Sequence, residues 1–132
     1  MVVIKPKREV EIKKMLCGCE TCSNIDSYFM NLKKLGENYE NDEEINSLAA
    51  FSLALNSPER LIILKALSEK DRCVCELEAI LNKSQSTISH HLRKLVSAEL
   101  IKGWKKDKFT YYSLLRNNLE KNLSLLNEHF KT

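Results

Sequence analysis

Asn82-Lys83-Ser84 followed by "QSTISHHLRKLVSAEL" (residues 85–100) is the stretch that decides how this chain is read. Ile88, Leu92 and Leu95 with Val96 recur at steps of four and three, the spacing of one buried helical face. Gln85, Ser86, Ser89, His90 and Arg93 lie mainly on the other side, which is small, polar and basic and carries no acidic residue. An ordinary surface helix would mix in Glu or Asp. The "NKS" before it makes a tight turn, so a second helix should end just upstream.

That upstream helix is expected from about Cys75 to Leu81, with Leu77, Ile80 and Leu81 turned inward. Before it, "SEKDR" is a polar connection. Ser57 reads as an N-cap with Pro58 at the first helical position, and Leu61, Leu64, Ala66 and Leu67 follow as a buried side. Leu48, Phe51 and Leu55 form an earlier stripe. Downstream, "LIKGWKKDKFTYYSLL" places strand-forming residues on both sides of a polar "KKDK", a β-hairpin pattern. The final "NNLEKNLSLLNEHF" puts Leu119, Leu123, Leu126 and Phe130 on one helical face, which needs cover from the core or from a second chain.

Two helices joined by a tight turn, followed by a basic hairpin, make a winged helix-turn-helix, a mainly α fold with a small β-hairpin. Hydroxyl, amide, imidazole and guanidinium groups on one helix face suit base edges and phosphates in a major groove. The candidate DNA contacts are Gln85, Ser86, Thr87, Ser89, His90, Arg93 and Lys94 on the helix, with Lys105, Lys106 and Lys108 on the wing. Charge agrees with a polyanion partner. The net charge is only +3, but residues 83–108 hold seven Lys or Arg against Glu99 and Asp107. From charge alone, a solvated face is an equally fair reading.

Residues 1–43 read as an arm outside this domain and residues 44–132 as the DNA-binding and dimerisation domain. Residues 1–14 are highly charged and expected to be weakly ordered. Ile25, Phe29, Leu32 and Leu35 then give a short helix that Gly36 should stop, and five acidic residues fall within 37–44. No apolar run approaches the roughly 20 residues of a membrane span, and no signal-peptide pattern opens the chain, so a cytoplasmic location is expected. In a reducing compartment an odd set of 5 Cys points to metal binding or redox chemistry rather than to structural disulfides.

Cys17, Cys19 and Cys22 cluster on the arm, and Cys73 and Cys75 stand at the start of the third helix. Side chains two apart in a regular helix point to opposite sides, because each step turns about 100°. For both sulfurs to meet one ion, Cys73 must lie just before the helix proper. A helix N-terminus should also lower a thiol pKa and favour the thiolate. The plainer reading of either residue is a small buried core side chain. Cys19-Glu20-Thr21-Cys22 has a spacing shared by redox and zinc sites. The βαβ frame of a thioredoxin-type enzyme is lacking, as are a catalytic base near Cys and a cofactor loop, so a thiol oxidoreductase or metal carrier is disfavoured and no enzyme is expected.

"CVCELEAILNKSQSTISHHLRKL" resembles the core of the ArsR/SmtB family of metal-responsive winged-helix repressors. Cys73, Glu76, Leu77, Ser84, Ser89, His90 and His91 fall at the family's spacings, with Glu76 where Asp is usual. The resemblance spans about residues 45–130. The wing tip "KKDKF" departs from it in lacking the customary Gly. The resemblance implies a homodimeric repressor that binds double-stranded operator DNA and leaves it when thiolates take up a soft ion. In members with a cysteine arm, the arm of one subunit meets the third-helix cysteines of the other. Two arm thiolates joined to Cys73 and Cys75 would suit Cd(II), Zn(II) or Pb(II); one would suit arsenite or antimonite. Thiolate softness excludes Mg and Ca. At the positions of the family's terminal-helix site stand Arg116, Asn118, His129 and Thr132, of which only His129 could ligate, so that site is read as absent. His90 and His91 are assigned to the reading helix rather than to metal. A thiol-oxidation switch on the same scaffold is the alternative function.

Overall fold

The computed structural model describes residues 5–19 and 24–131, with the backbone alone for Gly18 and Cys19. The chain divides into two units, residues 1–43 and 44–132. In the first, α1 (Pro6–Cys19) and α2 (Ile25–Glu40) are both longer than a weakly ordered arm with one short helix. The charges expected to loosen residues 1–14 instead sit at helix spacing. Arg8 pairs with Glu11 at 2.9 Å and Lys13 with Glu9 at 3.3 Å. Lys13 also reaches Asp26 at 2.8 Å and stands 5.2 Å above the ring of buried Phe29. Asn24 caps α2 by accepting the Ser27 N–H at 3.0 Å. Gly36 does not stop that helix, because nothing forces a positive φ there. Helix α2 runs on to Glu40 and ends where the Asn41 side chain donates to the Glu37 carbonyl at 3.0 Å.

The second unit contains α3 (Glu43–Ala54), α4 (Pro58–Glu69), β1 (Arg72–Cys73), α5 (Val74–Leu81), α6 (Gln85–Ser97), β2 (Ile101–Lys106), β3 (Phe109–Leu114) and α7 (Arg116–Phe130). Ser57 accepts the Arg60 N–H at 3.3 Å with Pro58 at the helix start, as the sequence predicts. Asn82 takes the left-handed conformation (φ 52°) and closes α5, and Ser84 caps α6. These two residues make the turn of the helix-turn-helix. Ile63, Leu67, Leu77, Ile88, Leu95, Leu100 and Ile101 are fully buried in one core that holds α4, α5, α6 and the base of the wing together.

The burial phase differs from expectation at three places. Leu61, Ile80 and Val96 are exposed, and Ile63 takes the core place expected of Leu61. Each sits within three residues of a buried side chain, where aliphatic content alone does not settle the phase. Leu48 and Phe51 are buried within the chain, whereas Leu123, Leu126 and Phe130 on α7 are exposed.

The wing is a three-stranded antiparallel sheet in the order β1-β3-β2, so a strand that the hairpin pattern did not predict joins it. Lys106 faces Phe109 across the turn, and Asp107 adopts φ 57°. Asp tolerates this region better than most residues, and the tip needs no Gly. Among the described residues no helix is long and apolar enough to cross a membrane.

Candidate functional site

Helix α6 presents Gln85, Ser86, His90, Arg93 and Lys94 to solvent, with Thr87 and Ser89 half-buried. The Ser84 hydroxyl accepts the Thr87 N–H at 3.3 Å and lies 2.9 Å from Thr87 Oγ1 and 3.1 Å from Ser86 Oγ. Thr87 therefore spends its hydroxyl on the cap. Lys105, Lys106 and Lys108 are exposed around the wing tip. The wing is stiffened by Trp104, which stacks on Tyr111 with ring centroids 4.9 Å apart and donates its Nε1–H to Ser113 Oγ at 2.8 Å. Gly103 permits the close approach of Tyr112, whose ring would lie 3.1 Å from an added Cβ.

His91 points the other way. Its Nδ1 lies 3.1 Å from Arg60 Nη1, and since a guanidinium only donates, Nδ1 must accept and the ring proton belongs on Nε2. Burial first, and then the Arg60 charge, lower the pKa of His91 below its ordinary value. Arg60, only 9% exposed, also donates to the carbonyls of Ala54 (2.6 Å), Leu53 (3.3 Å) and Asn56 (3.4 Å). It thus caps the C-terminus of α3 and fastens that end to the reading helix. Sequence reasoning missed this link. Its signal was phase: Arg60, Ile63, Leu64 and Leu67 share one helical face.

Cys73 precedes the helix proper, as the convergence argument requires. It is extended (φ −81°, ψ 165°), pairs with Tyr111 as part of β1, and serves as N-cap of α5. Its sulfur stands 2.8 Å from that of Cys75. That separation is well beyond an S–S bond of about 2.05 Å, and both thiols are free, Cys73 buried and Cys75 exposed. Glu76 Oε1 accepts the Cys73 N–H at 3.1 Å, and this bond holds the Glu76 carboxyl below the usual carboxylate range. Arg72 fixes the same corner through Glu76 (3.4 Å), Glu69 (3.0 Å) and the Ala66 carbonyl (3.1 Å). The expected lowering of the thiol pKa does not hold for Cys73. Its hydrogen bond with Cys75, and then burial, push that thiol up, outweighing the helix N-terminus.

The thiol pair opens on a cavity of about 220 Å³ whose wall includes Glu78, Gln85, Lys108 and Phe109. Of the arm cysteines, Cys17 is exposed on α1. The Cys19 side chain and Cys22 lie outside the described residues. Among the described residues no group of three or more His, Cys, Asp or Glu is gathered as a metal site. At the terminal-helix positions, Arg116 donates to the Ser68 carbonyl and Asn118 to the Glu99 carbonyl (2.9 Å). His129 Nε2 is 3.7 Å from Glu44 Oε2, and Thr132 lies outside the described residues.

The profile of the bacterial regulatory protein, arsR family, a helix-turn-helix family, matches residues 57–102. The chain is 38% identical over 77 residues to a transcriptional repressor SmtB homolog of Synechocystis, covering 58% of each sequence. It is 34% identical to the cadmium resistance transcriptional regulatory protein CadC of Listeria innocua, over 61% of this chain and 64% of that protein. An arsenical resistance operon repressor of Staphylococcus xylosus is 35% identical over 61% of this chain and 80% of its own length. Among solved structures, NolR from Sinorhizobium fredii superposes with a TM-score of 0.57 at 33% identity, covering 69% of this chain and 91% of that one.

Proposed function

Because this chain belongs to the arsR family of bacterial regulatory proteins and is a DNA-binding transcriptional regulator rather than an enzyme, we propose that it is a homodimeric cytoplasmic repressor released from its operator by a soft metal or metalloid ion. Helix α6 enters the major groove, where Gln85, Ser86, Ser89 and His90 meet base edges. Arg93, Lys94 and the wing lysines Lys105, Lys106 and Lys108 take phosphates, and Thr87 acts through its bond to the cap. Two such helices in a two-fold dimer would read an inverted repeat.

The observation that carries the sensing role is the convergence of the Cys73 and Cys75 sulfurs to 2.8 Å, one of them open to solvent. A pair of thiols is a soft donor set, fitting Cd(II), Pb(II), Zn(II) or arsenite and not Mg or Ca. One or two thiolates from Cys17, Cys19 and Cys22 would complete the shell, which two sulfurs leave unfilled. Relatives named for cadmium and arsenical resistance support this ligand class. The Cys73 thiol, its pKa raised by Cys75 and then by burial, would pass its S–H proton to solvent on taking up an ion.

The test is a titration of DNA-bound protein with Cd, Pb, Zn and arsenite under reducing conditions. At least one should release the operator, and a Cys73→Ser, Cys75→Ser double variant should bind DNA normally and ignore it. A double variant that still responds to the ion would overturn the proposal. Release by peroxide alone would favour a thiol-oxidation switch.

A further inference from the structure

His90 and His91 are neighbours in sequence, yet side chains one step apart on a helix diverge by about 100° and do not ordinarily meet. Here the two rings do meet. Their centroids lie 5.5 Å apart with the planes at 63°, an edge-to-face contact. His90 is exposed on the face assigned to base edges, whereas His91 is half-buried. The inner ring is fixed from outside its own helix. Arg60 donates to His91 Nδ1 at 3.1 Å, and the Ala54 carbonyl holds Arg60 in turn at 2.6 Å. The outer ring has no hydrogen bond among the described residues, and His91 is the one ring it touches there.

Resting on the reading role assigned to α6 above, we propose that His91 is a positioning residue for base recognition: anchored by Arg60, its ring holds His90 in the orientation that meets the operator. A hydrogen bond to a base edge is directional, so the imidazole that makes it must be held in one orientation. A ring that is free in solution loses that freedom on binding, and a ring already held does not. Random DNA is bound through its phosphates and needs no such orientation of His90. The contribution of His91 therefore falls on discrimination between sequences rather than on DNA binding as a whole. Arg60 supplies the fixed point, because it is only 9% exposed and tied to the end of α3.

The experiment measures the ratio of operator to random-DNA affinity in the full-length protein carrying His91→Gln, His90→Ala or Ser86→Ala, and in the two pairs that include His91→Gln. Glutamine can still accept from Arg60 through its amide oxygen but offers no ring. It keeps the tie to α3 and removes the contact with His90. His91→Gln should lower the ratio about two- to tenfold, the cost of ordering one side chain, while binding random DNA as the wild type does. Combined with His90→Ala, the same substitution should change the ratio by less than about twofold, whereas with Ser86→Ala it should keep its full effect. A wild-type ratio in His91→Gln, or an equal loss in all three backgrounds, would leave His91 a scaffold residue and overturn the proposal. Three-bond couplings in the DNA-free wild type give a second reading that needs no variant to fold. They should show one χ1 rotamer for His90, and averaging over several would also overturn the proposal. If His90→Ala and Ser86→Ala both leave the ratio unchanged, the reading face itself is misassigned and both readings fall.

Discussion

At the scale of single residues, Arg60 and His91 matter more than their places in the sequence suggest. Arg60 satisfies three carbonyls at the end of α3 and holds His91 by its Nδ1. Removing the guanidinium leaves the buried Ala54 carbonyl without this donor, whereas the Leu53 carbonyl keeps the Asn56 N–H, so Arg60→Ala should cost about 1–3 kcal/mol, measured by denaturant unfolding. The pKa of His91 is lower in the folded chain than its ordinary value. The neutral ring is thus the form that folding favours. Its contribution is fully present above about pH 6.5 and is lost as pH falls through the depressed folded value. Stability should decline across that window, and His91→Gln should remove part of the decline; an unchanged pH profile in the variant would refute the assignment. The hydroxyls and bases of the reading face were legible as types in a pattern. The inward turn of His91 was not, because it depends on a partner 31 residues away.

At the scale of elements, the reading helix and the wing should contribute separably to DNA binding. Ser86→Ala or His90→Ala should narrow the gap between operator and random DNA, by about 1–3 kcal/mol where a base contact is lost. Lys105→Gln or Lys106→Gln should weaken both alike and lower the salt slope by about one. Fluorescence anisotropy on the two DNAs across a salt series would check this, and neutral wing lysines with a steep slope retained would displace the hairpin from the interface. The hairpin was readable because β-branched and aromatic residues change the period after Leu100. Strand β1 was not, since two residues carry no periodicity and only pairing with Tyr111 and Tyr112 defines them. The first helix was hidden for a different reason. Its charged residues read as a loose arm, but they pair as Arg8–Glu11 and Glu9–Lys13 at helix spacing. The convergence of Cys73 and Cys75 could be argued from helix geometry, but the raised pKa of Cys73 needed the sulfur–sulfur distance.

At the scale of the whole molecule, α7 leaves Leu123, Leu126 and Phe130 uncovered, the last 73% exposed. In the proposed dimer a second copy would cover this face, so Leu126→Glu should give a monomer in sedimentation at micromolar concentration with sharply weaker operator binding. A wild type that sediments as a monomer both free and on DNA would remove the two-fold arrangement. Regulation belongs to this scale as well. Coupling between sites is commonly about 1–3 kcal/mol and must be reciprocal, so operator DNA should weaken ion binding by the factor with which the ion weakens DNA binding. The chain's sole tryptophan, Trp104, stacks on Tyr111, and Tyr111 is the register partner of Cys73. Indole emission responds to the ring packed against it. The protein therefore carries its own optical gauge one strand away from the Cys73 and Cys75 thiols, readable without a dye.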